Sequence, residues 1–144
     1  MNKILVVVDM QMRFVRQCHA ENIVNNVKNE IEKRRQEGYD LIFTFDESGG
    51  DAVEEISEYL PKSKIYKKHS YGCKELILDL HSNMPDVIEF IGVCTDICVI
   101  TNVLGTMAFL PYTEIIVDSR CCASEKEGHI AALKVMRACN ITVV

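Results

Sequence analysis

Short apolar runs alternate with amphipathic stretches of helical length from one end of the chain to the other, and this alternation restricts the fold more than any other feature. Lys3 to Val8 is an unbroken aliphatic, β-branched run, the pattern of a strand covered on both faces. From Glu21 to Glu37, Ile23, Val27 and Ile31 recur every four residues among charges, which predicts an amphipathic helix closed by Gly38. Further strands are expected at Leu41–Phe45, Lys64–Lys67, Val87–Ile91, Glu114–Val117 and Ile141–Val144. Further helices are expected at Asp51–Tyr59, stopped by Pro61, and at Lys74–His81, Thr95–Phe109 and Glu125–Ala138. Strands that alternate with helices imply βαβ units, and so a parallel sheet covered on both faces. The expected class is α/β: a three-layer α/β/α sandwich, Rossmann-like, with a six-stranded parallel sheet and five helices. A length of 144 residues fits one domain, 1–144.

Charge and cysteine usage exclude several function classes. The formal net charge is -5, which disfavours nucleic acid as a partner because phosphate binding needs clustered Lys and Arg. The one basic run, Lys33-Arg34-Arg35, lies among Glu30, Glu32 and Glu37 and reads as a solvated helix face. Asp9 interrupts the first apolar run too early for a signal peptide or membrane span, so no membrane partner and a cytoplasmic location are expected. The seven cysteines are odd in number and irregular in spacing, which argues against a disulfide framework; most are expected to be small buried hydrophobes. Cys94 and Cys98 form C-x3-C with no second Cys/His pair at ligand spacing, so structural zinc is not expected. No G-x-G-x-x-G or P-loop pattern follows the first strand, which disfavours nucleotide binding.

In parallel sheets ligands bind beyond the carboxyl ends of the strands. Those ends deliver Asp9, Asp46, Lys68, the Gly92–Cys98 segment and Asp118. Each has a plain reading: Asp9 as a helix cap, Lys68 as a solvated lysine, Cys98 as a packing residue. Each also has a chemical one. Gly92 permits unusual backbone geometry after a buried strand, and Thr95 or Asp96 can cap the next helix. With Thr95 as cap, Cys98 falls in the first turn, where the helix dipole and free N–H groups are expected to lower the thiol pKa and receive an oxyanion. A lysine beside a thiolate and a carboxylate would keep both ionised.

Three segments in this order resemble the isochorismatase-like cysteine hydrolases, which include the nicotinamidases. Asp9-Met10-Gln11-Met12-Arg13-Phe14 resembles the family's D-x-Q-x-x-F. Lys68-His69-Ser70-Tyr71-Gly72 is similar to its lysine loop. Gly92-Val93-Cys94-Thr95-Asp96-Ile97-Cys98-Val99 is similar to its nucleophile segment, and Asp118-Ser119 also fits. The resemblance implies Cys98 as nucleophile, Asp9 as the base that takes its proton, and Lys68 as the cation completing a triad. Lys67 takes that place if the third strand ends one residue earlier. It further implies a cis Val93–Cys94 peptide, an oxyanion hole from the N–H groups of Cys94 and Cys98, and Gln11, Phe14 and Tyr71 beside the substrate. The implied reaction is cleavage of a small-molecule amide through a Cys98 thioester.

Two departures from the family bear on substrate. Asp46 matches the aspartate of the nicotinamidase metal site, but no histidine follows in Glu47-Ser48-Gly49-Gly50-Asp51, so no metal and no cofactor are expected. The stretches after Asp46 and around Tyr112 are short for the family, which suits an open pocket and a bulkier substrate, or one shared with a partner subunit; members of the family often oligomerise, so the resemblance implies a homodimer. Vinyl ether cleavage of the isochorismatase type, and a non-catalytic scaffold that retains the fold, are the competing readings.

Overall fold

A computed structural model describes residues 1–144. Six strands form one sheet: β1 (Lys3–Val8), β2 (Asp40–Asp46), β3 (Lys64–Lys68), β4 (Val87–Val93), β5 (Glu114–Ala123) and β6 (Thr142–Val143). Their order is β3-β2-β1-β4-β5-β6, and every pairing is parallel. The α-helices are α1 (Met12–Gln17), α2 (Val24–Gln36), α3 (Lys74–Asn83), α4 (Ile100–Phe109) and α5 (Lys126–Ala138).

The strand pleat sorts β1 into two cores. Ile4, Val6 and Val8 pack with Leu76 and Leu80 of α3, Val103 of α4, and Leu133 and Met136 of α5. Leu5 and Val7 point the other way, onto Val15 of α1 and Val24, Val27 and Ile31 of α2. Both sets lie inside a layer, which is why the strand reads as an unbroken apolar run. Burying each such aliphatic side chain contributes about 1.5–3 kcal/mol. No helix is long and apolar enough to cross a membrane.

β1 has β2 on one side and β4 on the other, so the connections leaving the carboxyl ends of β1 and β4 diverge and open a crevice between them. Backbone geometry is unusual on both sides of this crevice. Asp9, just past β1, has φ +50°, a left-handed conformation that Asp tolerates better than most residues. Gly92 in β4 has φ +124°, and a Cβ there would run into the backbone of Val8. Only glycine lets β4 lie against β1 at this level.

The architecture matches the reading from sequence, with local differences. The stretch expected as a helix at Asp51–Tyr59 is a 3-10 helix, Glu54–Lys62, that carries Pro61 inside it. α1 was not expected; it has six residues and buries only Val15, too short for a periodic signal. β5 runs six residues beyond Val117, because its register against β4 shifts between Phe90 and Gly92 and pairing resumes at Cys122. Asp118 therefore lies inside a strand, held by the Arg120 guanidinium at 2.9 Å, and is not a strand-end residue.

Arg34 is the exception in the basic run read as solvated. Its side chain is only 16% exposed, because Nε lies 2.5 Å from Oε2 of Glu89, at the centre of β4, and 2.8 Å from Oε1 of Glu30. Glu89 is fully buried. Burial first, and then the adjacent Glu30 carboxyl, push Glu89 up to about 8 despite Arg34.

Two outcomes follow. Gly92→Ala loses more than about 1 kcal/mol of stability, because neither the backbone angle nor the gap to Val8 accepts a methyl group; an unchanged denaturation midpoint contradicts this packing. Glu89 keeps its proton in the folded chain where the unfolded chain has released it. Its contribution to stability is therefore present below about 4.5 and is lost as pH rises to about 8. Relative to Glu89→Gln, the wild type should lose stability across that interval; parallel pH–stability curves contradict the buried-proton account.

Candidate active site

Three strand ends bring Asp9, Lys68 and Cys98 together. Lys68, the last residue of β3, pairs in register with Asp46 and reaches across the end of β2 to the crevice. Its side chain is 1% exposed, and Nζ lies 2.8 Å from Asp9 Oδ2 and 3.2 Å from Cys98 Sγ. Nζ also donates to the carbonyls of Ser70, at 3.0 Å, and Tyr71, at 3.2 Å. Lys67 points outward and is exposed. Asp9 is fully buried, and its Oδ1 accepts from Thr44 Oγ1 at 2.9 Å.

Cys98 sits in a π-helical turn, Thr95–Val99, that leads into α4. The Val93–Cys94 peptide just before this turn is cis. The carbonyl of Cys94 accepts from the N–H groups of Ile97 and Val99. Neither Thr95 nor Asp96 caps the helix as expected. Thr95 Oγ1 lies 2.8 Å from His129 Nδ1 on α5, and Asp96 Oδ1 accepts from Ser124 Oγ at 2.5 Å. A Cβ on Gly128 would strike the Asp96 carboxylate, so that glycine lets α5 approach the turn. The turn is tied laterally to α5 rather than capped along its own axis.

The electrostatics differ from the expected low-pKa thiol. Burial first, and then the charge of Asp9, push Cys98 up to about 11, and Lys68 only partly counters them. Burial also raises Asp9, although Lys68, Thr44 and Cys98 all favour its ionised form. For Lys68 burial favours the neutral form, but the bond to Asp9 and its charge prevail and raise the pKa. Cys98 is therefore a thiol at neutral pH, set beside the close Asp9–Lys68 contact. A carboxylate of raised pKa is a stronger base, suited to taking the thiol proton during reaction.

The other residues singled out from sequence are distributed around this centre. The Gln11 side chain, 2% exposed, is not directed at a ligand: Nε2 donates to the carbonyls of Asp46 and Gly50, and Oε1 accepts from the Asp46 N–H. It ties the loop after β2 to the crevice. Phe14 is half-buried and packs beside Gly49, where a Cβ would meet its ring. Tyr71 turns its carbonyl inward and leaves its side chain exposed, at 67% for the residue. The Asp46 carboxylate accepts from both Ser48 N–H and Ser48 Oγ, closing a 3-10 turn. With Asp46 committed there and no imidazole in the segment, these residues do not fit a metal. Three ligand-type side chains do converge elsewhere, at Glu30, Asp118 and Cys121, away from Asp9, Lys68 and Cys98.

One cysteine pair departs from expectation. Cys18, at the end of α1, is joined by a disulfide to Cys94, 76 residues away, with their Cα atoms 6.3 Å apart. Of the others, Cys73, Cys121 and Cys122 are buried, and Cys98 and Cys139 are half-buried. Sequence reasoning also missed Thr44 and His129. Thr44 carried a signal, as the one polar residue within Leu41-Ile42-Phe43-Thr44-Phe45; His129 did not stand out from the other histidines.

The isochorismatase domain model matches residues 3–144. The pyrazinamidase/nicotinamidase of Streptococcus mutans is 19% identical, with a TM-score of 0.86 over 99% of this chain and 100% of its own. The nicotinamidase of Staphylococcus aureus is 22% identical, with a TM-score of 0.83 over 100% of both chains. The YcaC gene product of Escherichia coli, an octameric hydrolase of unknown specificity, is 14% identical, with a TM-score of 0.88 over 99% of this chain and 74% of its own. No curated protein sequence matches the chain. At these identities the solved structures show a shared fold, and it is the domain match over nearly the whole length that decides membership: the chain belongs to the isochorismatase family of hydrolases.

Proposed function

We propose that the chain is a cysteine hydrolase cleaving a small-molecule carbon–nitrogen bond of the amide type through a thioester on Cys98. The observation that carries this reading is the placement of Lys68 Nζ 2.8 Å from Asp9 Oδ2 and 3.2 Å from Cys98 Sγ, with Lys68 and Asp9 out of solvent. Asp9 takes the thiol proton as sulfur attacks the carbonyl carbon. The carbon–nitrogen bond then breaks, and the nitrogen leaves with the proton held by Asp9. Water adds to the thioester, again giving its proton to Asp9, and the acid product leaves as the proton returns to sulfur. Lys68 steadies the carboxylate and the sulfur while charge moves between them.

The N–H groups of Cys94 and Cys98 form the oxyanion hole, where one donor contributes on the order of 3 kcal/mol. Phe14 and Tyr71 flank the substrate. The nicotinamidases among the structural neighbours act on an amide, as their names state, which supports amide over vinyl ether cleavage. A homodimer in the cytoplasm completes the reading.

Two experiments test it. A panel of small primary amides, with nicotinamide and pyrazinamide included, is assayed for ammonia release and then acid-quenched for intact-mass analysis. An acyl adduct on Cys98, with turnover reduced at least about 100-fold in Cys98→Ser and in Asp9→Asn, is the expected result. Undiminished turnover in Cys98→Ser, or cleavage of a vinyl ether with no adduct at any stage, contradicts the thioester route. Secondly, alkylation of Cys98 by iodoacetamide, read per cysteine by mass spectrometry, reports its thiolate fraction. Removing the carboxylate charge by Asp9→Asn should displace the rate–pH curve to lower pH by about one unit, near tenfold faster at a given pH. An unmoved curve means that Asp9 does not control the thiol.

A further inference from the structure

Asn102 lies one turn beyond the nucleophile in α4 and is fully buried. Asparagine is a poor helix former, and a buried amide is stable only if its polar atoms find partners. All three hydrogen-bonding functions of this amide are used. Oδ1 accepts from the N–H of Cys73 at 2.8 Å, at the start of α3. Nδ2 donates to the carbonyl of Cys98 at 2.8 Å and to the carbonyl of Tyr71 at 3.3 Å. The partners fix which way the amide points, since one is a donor and two are acceptors. Close by, Gly72 comes to within about the tightest ordinary contact of α4: a Cβ there would lie 3.1 Å from the Thr101 methyl group.

The Tyr71 carbonyl is shared. It accepts from Asn102 Nδ2 and also from Lys68 Nζ, and the same Nζ contacts Asp9 and Cys98. One amide thus connects the backbone of the nucleophile to the loop that seats the lysine. Lys68 reaches both segments as well, but at the Cys98 sulfur; Asn102 is the residue whose side chain bonds both backbone carbonyls, Tyr71 and Cys98.

We infer that Asn102 is the positioning residue of the triad: by holding the Tyr71 and Cys98 carbonyls at a fixed separation it sets the distance between the Lys68 ammonium and the Cys98 sulfur. This inference rests on the Asp9–Lys68–Cys98 reading and adds to it a residue that touches no substrate. Losing the Nδ2 bond to Tyr71 frees the loop after β3, and the ammonium follows its carbonyl partners away from sulfur. Lys68 is the cation that favours the thiolate, so Cys98 should become less reactive while keeping its surroundings.

The test uses Asn102→Thr and Asn102→Ala in the full chain; both are neutral and add no charge of their own near sulfur. Threonine can still donate to the Cys98 carbonyl four residues back but does not carry the second donor for Tyr71. Alkylation of Cys98 by iodoacetamide is followed from pH 7 to pH 10, with Cys139 as internal control and thermal unfolding as the measure of folding. The expected result for each folded variant is a Cys98 curve displaced to higher pH by about one unit, near tenfold slower at a given pH, with Cys139 unchanged. Asn102→Thr decides the matter if Asn102→Ala does not fold. A folded Asn102→Thr with lower thermal stability but a Cys98 curve coincident with wild type, or faster than it, overturns the inference and leaves Asn102 a packing residue. Asp9→Asn separates this failure from that of the triad. A Cys98 curve that moves in Asp9→Asn but not in Asn102→Thr rejects the positioning role alone; one that moves in neither rejects both.

Discussion

The ion pair between Asp9 and Lys68 is the interaction on which the rest of the site depends. Both side chains are withdrawn from water, and desolvation opposes each charge. A buried pair of this kind adds little net stability, but removing either partner leaves an uncompensated charge, which typically costs about 3–5 kcal/mol. The pair is kept ionised by close geometry and by further bonds: Thr44 on the carboxylate, and the Ser70 and Tyr71 carbonyls on the ammonium. Cys98 is set against this pair, and the two charges act on its proton in opposite senses. Burial first, and then the charge of Asp9, hold the sulfur as a thiol, and Lys68 only partly counters them.

The fold makes that geometry compulsory. The sheet places β1 and β4 side by side, and Gly92 allows contact at the level where Asp9 leaves β1 in a left-handed conformation. Lys68 comes from two strands away and needs its whole length to arrive. The Thr95–Val99 turn that carries Cys98 is fixed from α5 by Thr95–His129 and Asp96–Ser124, and from α1 by Cys18–Cys94. Gln11 secures the loop after β2 through the Asp46 and Gly50 carbonyls. Each element contributes one or two anchors, and the site lies where they meet.

Much of this was legible in the sequence because it follows from patterns of one residue type. Apolar runs gave the strands, four-residue recurrence gave α2, and the strand-end rule picked out Asp9 and Lys68. The segment around Cys98 was singled out too, and the structure brings its sulfur to the Lys68 ammonium. The reading failed where the answer depends on residues far apart in the chain. Arg34 read as solvated because Glu89, 55 positions away, carries no local sign of being its partner. Cys18–Cys94 joins positions that no spacing rule connects. The thiol was expected to be acidic from its place in a helix turn, whereas burial and Asp9 dominate at that depth. Gln11 was placed beside the substrate by the resemblance, and Asn102 carried no sign in the sequence; only the carbonyls around them reveal what they hold.

The central claim is that Cys98 rests as a thiol poised beside an ionised Asp9–Lys68 pair. The most direct measurement is the S–H stretching band of Cys98, obtained as the infrared difference between wild type and Cys98→Ser across pH. The account predicts a band that is present at neutral pH and disappears only as pH approaches about 11. A band already missing at neutral pH would show a resting thiolate and contradict the ordering of charges described here.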